Sequence, residues 1–96
     1  MSTVVAGTPT EDLAREARAR VEQADFAGAC RLVREALDGV ELDTGHADAV
    51  YVLAVAERYQ NQPEKALQTL AKVLALNPGY ARAYQEKGHV YLALNQ

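Results

Sequence analysis

The chain has 96 residues, a formal net charge of -3 and a sequence pI of about 5.3; it is 49% hydrophobic and 24% charged, with three Pro and six Gly. That length allows one small domain or array, the composition excludes a disordered or collagenous chain, and the acidic balance argues against a polyphosphate backbone as partner. The single cysteine, Cys30, excludes an internal disulfide, and MSTVVAGTP holds only the short apolar run Val4, Val5, Ala6, too little for a signal peptide or a membrane span. A cytoplasmic protein without membrane or nucleic-acid partners is expected.

Residues 1–8 read as a flexible lead-in. Thr8, Pro9 and Glu11 then have the spacing of a capping box with proline at the first helical position, and Leu13, Ala17, Val21 and Ala24 form an apolar stripe. A helix is predicted over about 9–23. Its basic residues Arg15, Arg18 and Arg20 alternate with Glu11, Asp12, Glu16 and Glu22, which reads as a solvated, ion-paired face.

Phe26, Ala29, Leu32, Val33, Ala36 and Leu37 give a second helix, with Gly39 as its left-handed stop. The short connection makes it antiparallel to the first. VELDTGH is a loop whose Asp43 or Thr44 can cap a third helix over about 47–59, carrying Val50, Leu53, Ala54 and Val55. Pro63 opens a fourth, with Ala66, Leu67, Leu70, Val73, Leu74 and Leu76, ended by Asn77-Pro78-Gly79; a fifth runs from near Tyr80 to the end. No stretch alternates as a strand, so the chain is expected to be all-α.

Self-comparison reveals a repeat. A shift of 34 residues lays Ala49 on Ala83, Val50 on Tyr84 and Ala54 on Gly88; a shift of 37 lays Leu13 on Val50, Ala17 on Ala54, Ala29 on Ala66, Val33 on Leu70 and Ala36 on Val73. The three extra residues fall between Asp38 and His46. With this period and the signature types at Val50, Leu53, Ala54, Ala66, Leu70, Val73 and Pro78, then Tyr84, Gly88 and Tyr91, the chain resembles the tetratricopeptide repeat family over residues 10–96. The first unit is degenerate, with Glu16 and Arg20 at usually larger positions and Glu41 in place of Pro; Lys87 replaces a Leu in the third.

The resemblance implies an α-α superhelix of helix-turn-helix pairs, five helices in two and a half repeats, with units at about 10–46, 47–80 and an incomplete 81–96 in a repeat domain over 9–96. It further implies a non-enzymatic module whose groove receives a peptide or helix of a protein partner. The matching groove positions are Asp48, Tyr51, Val52, Val55 and Tyr59, then Arg82, Gln85, Glu86 and His89. Only Arg82 matches the pattern of family members that clamp the carboxylate terminus of chaperone tails, so such a clamp is not expected.

The face of Tyr84, Gly88, Tyr91 and Leu92 lacks the second helix that would cover it. The chain is therefore expected to be the N-terminal part of a longer protein, or to associate as a homodimer through its C-terminal helix. NPGYARAYQEKGHVYLAL is also similar to the repeat segment preceding the catalytic domain of bacterial tetratricopeptide sulfotransferases; that resemblance implies a regulatory or oligomerisation segment with catalysis beyond residue 96. No catalytic residue, cofactor site or metal site is expected within the chain. His46 and His89 have no paired spacing, no phosphate loop occurs, and Cys30 on an apolar helix face reads as an inert core thiol.

Overall fold

The computed structural model describes residues 9–95. They form five α-helices, α1 (Pro9–Glu22), α2 (Phe26–Leu37), α3 (Ala47–Tyr59), α4 (Pro63–Leu76) and α5 (Ala81–Leu94), with no strand among the described residues. The lead-in over residues 1–8 and the Thr8 cap lie outside the described residues.

The helices pack as antiparallel hairpins stacked in a row: α1 on α2, α3 on α4, with α3 also against α1 and α2, and α5 against α4 and α3. The result is elongated, 52 × 28 × 22 Å. Each unit therefore touches only its neighbours, the arrangement expected of a repeat array.

The repeat is visible in the backbone itself. In the turn from α1 to α2, the amides of Gln23, Ala24 and Asp25 donate to the carbonyls of Ala19, Val21 and Arg20; 37 residues later, those of Gln60, Asn61 and Gln62 donate to Ala56, Arg58 and Glu57. Both turns hold their middle residue at left-handed φ, 62° at Ala24 and 63° at Asn61. Asparagine tolerates that conformation, whereas alanine is strained by its Cβ. Ala24 is thus an exposed turn residue rather than the end of the α1 stripe. Ala24→Gly should raise stability by about 0.5–1 kcal/mol, read as an increase in urea midpoint at unchanged slope.

Two further local features differ from expectation. Asp43 caps not α3 but a 3-10 turn, Thr44–His46, accepting from the Gly45 amide, while the His46 ring accepts from the Asp43 amide and closes a capping box. Ala36 of the α2 stripe is exposed. Gly39 does take the left-handed conformation, φ 73°, just past the α2 terminus.

The core follows the small-and-large alternation of the repeat. Ala54, Ala66, Leu70, Val73, Ala83 and Val90 are all fully buried in one cluster joining α3, α4 and α5. Ala14, Ala17, Val33, Ala49 and Val52 make the equivalent cluster between α1, α2 and α3. Alanines at the contacts let the helix axes approach closely, and the branched residues fill what remains.

A polar network crosses this core. The Glu57 carboxylate, 2% exposed on α3, accepts from Arg34 Nη2 of α2 at 2.8 Å and from Thr69 Oγ1 of α4 at 2.6 Å. One buried carboxylate thus ties three helices together. No helix among the described residues is long and apolar enough to cross a membrane.

Candidate functional site

The faces of α1, α3 and α5 form a row, because α1 and α5 both pack against α3. The 34-residue register explains which side chains of this row are buried. Ala49, Val52 and Ala56 of α3 lie against the preceding unit, and their equivalents Ala83, Glu86 and Val90 of α5 lie against α3 and α4; all six are buried.

This corrects two of the expected groove residues. Val52 is 4% exposed and Glu86 3%, so both are stacking positions beneath the face rather than contact positions on it. Glu86 is stabilised there by an ion pair with Arg58, which also lies 4.5 Å from the centroid of the Tyr59 ring. A carboxylate where the preceding unit has Val52 needs a partner at that depth, and Arg58 supplies it.

Asp48, Tyr51 and Arg82 do come together. The Tyr51 and Tyr80 rings are 5.3 Å apart and tilted by 39°, the Tyr80 hydroxyl donates to Asp48 Oδ1, and the Arg82 guanidinium lies 5.8 Å from the Tyr51 ring centroid. Burial raises the Tyr51 phenol above its usual pKa and the nearby Glu86 adds to this, while Arg82, Arg58 and Arg18 oppose it. Tyr80 is pushed up further, first by burial and then by its bond to Asp48. Both phenols stay protonated donors at neutral pH.

Tyr59 is half exposed and separate from this cluster, its ring stacked on Phe26 at 4.7 Å and 8°. Val55 is half-buried on the face, and Gln85 and His89 are exposed on α5. The face is therefore an aromatic patch, Tyr51 with Tyr80, with Asp48 and Arg82 beside it and Gln85 and His89 exposed on the neighbouring α5.

Sequence reasoning missed three members. Tyr80 lies in the linker, Arg58 is turned inward by Glu86, and Arg18 of α1 was assigned to a solvated, ion-paired face although it makes no ion pair among the described residues. A signal for Arg18 existed: it stands 37 residues before Val55, which stands 34 before His89, so the three occupy one register across the row.

The second expected surface lies on α5. Tyr84, Tyr91 and Leu92 are 56%, 50% and 63% exposed, and a Cβ built on Gly88 would meet nothing within 4 Å. The α3 equivalents of Tyr84, Gly88 and Tyr91, namely Val50, Ala54 and Glu57, are buried.

Elsewhere the chemistry is quiet. Cys30 is buried with its thiol donating to Gln60 Oε1 at 3.2 Å, and burial, only partly opposed by Arg34 and Lys65, raises its pKa and keeps it protonated. Among the described residues no three His, Cys, Asp or Glu side chains cluster to hold a metal ion. Searches against protein-family models, curated proteins and solved structures return no match to this chain.

Proposed function

We propose that this chain is a tetratricopeptide-like interaction module that binds a peptide or helix of a protein partner across the row of α1, α3 and α5. The observation that carries the reading is the Tyr51–Tyr80 patch with Arg82 beside it, apolar area and hydrogen-bond donors held together on stacked helices. Tyrosine and arginine are the residue types that anchor interfaces, because they bury large area at modest entropic cost and still donate hydrogen bonds. The 37-residue recurrence of the turn geometry and the 34-residue recurrence of the stacking face support the repeat assignment.

Peptides selected from a random display library on the native chain should lose at least about tenfold in affinity to a Tyr51→Ala, Arg82→Ala double variant, with helicity by circular dichroism retained. Unchanged affinity would overturn the reading.

A second reading, self-association through α5, is favoured by the exposed Tyr84, Gly88 and Tyr91, whose α3 equivalents Val50, Ala54 and Glu57 are buried, with the exposed Leu92 beside them. Sedimentation equilibrium should then show a mass that rises with concentration and returns to the monomer value in Leu92→Glu. A constant monomer mass at high concentration would remove it.

A further inference from the structure

Around Tyr51 the cationic side chains outnumber the anionic ones, with Arg18, Arg58 and Arg82 against Asp48 and Glu86. The chain carries a net charge of -3, yet Arg82 of α5 lies 5.8 Å from the Tyr51 ring centroid, Arg58 of α3 lies beside Tyr59, and Arg18 of α1, a helix packed against α3, stands in the register of Val55 and His89. Their compensation is uneven. Arg58 is paired with the buried Glu86, whereas Asp48 accepts a hydrogen bond from the Tyr80 hydroxyl, a neutral donor. Arg18 and Arg82 make no ion pair among the described residues.

Two cations with no ion pair among the described residues, on the helices that flank an aromatic patch, outnumber the Asp48 carboxylate there and favour an anionic group in between. Such complementarity raises association rates and fixes register, and it selects against basic partners. Guanidinium groups also bind carboxylates through paired, directional donors, which an ammonium group cannot do.

We propose that the occupant of this face is an acidic peptide segment, with side-chain carboxylates received by Arg18 and Arg82 and an apolar side chain set against Tyr51. The proposal rests on the groove reading above and specifies its partner.

The test uses fluorescence anisotropy with two short, C-terminally amidated peptides, one alternating Glu with Leu and Tyr and the other identical but with Gln for Glu. The Glu peptide should bind at least about tenfold tighter than the Gln peptide, and the difference should shrink as salt rises from about 50 to about 300 mM. Arg18→Gln and Arg82→Gln should each lower affinity for the Glu peptide by about three- to tenfold. Arg82→Lys should recover part of that loss. Arg31→Gln, which removes the same charge from the exposed face of α2, should leave affinity unchanged.

Equal binding of the two peptides would overturn the acidic partner while leaving the groove reading intact. Binding of neither would also overturn it, and the groove reading would then stand or fall on the Tyr51, Arg82 double variant with selected peptides. Equally tight binding of oligothymidylate would show general polyanion attraction and overturn the peptide assignment. A loss in Arg31→Gln equal to that in Arg82→Gln would do the same.

Discussion

Leu70→Ala should destabilise the chain by about 3 kcal/mol, a large share of the roughly 5–10 kcal/mol available to a domain of this size. Leu70 is fully buried at the junction of α3, α4 and α5, in one cluster with Val50, Ala54, Ala66, Val73, Ala83 and Val90. Ala47, Ala54, Ala66 and Ala83 share its cluster and have no side-chain rotation with which to fill the space left by the lost isobutyl group. The cost is therefore the transfer term plus a cavity that collapses only in part. Thermal unfolding should drop by at least about 10 °C. A drop of only a degree or two would mean that α4 is not the central helix of this core.

Arg34→Ala is expected to cost about 2 kcal/mol or more, less than breaking a fully buried pair because the Arg34 side chain is 42% exposed. The Glu57 carboxylate would keep Thr69 as its only hydrogen-bond donor at 2% exposure. Adding Glu57→Gln should recover most of that loss, since a neutral amide leaves no buried charge without a counter-ion. Urea midpoints of the two single variants and the double variant form a cycle that isolates the coupling. Additive losses would show that Arg34 acts by packing its methylenes alone.

These two sites differ in how far the sequence revealed them. Leu70 was legible because it lies on the apolar stripe of α4 and on Val33 at a shift of 37. The Glu57 network was not, because Arg34, Glu57 and Thr69 stand 23 and 12 residues apart on three helices and no local pattern links them. Glu86 is the same case: the resemblance placed it, like its equivalent Val52, on the groove, and only packing against α3 puts both in the stack.

By itself the sequence determined the five helices and the 34- and 37-residue recurrence along them, since helix periodicity, Pro63, Gly39 and the small residues act over a few neighbours. It also marked Tyr51 and Arg82, which share a face by register alone. Only the tertiary structure decided which polar groups are buried and which cations make no ion pair among the described residues. Burial of Glu57 and Glu86, the inward turn of Arg58 and the placing of Arg82 over the Tyr51 ring all arise where separate helices meet. Those contacts depend on the distance and rotation between helices, which the spacing of residues along one helix does not specify.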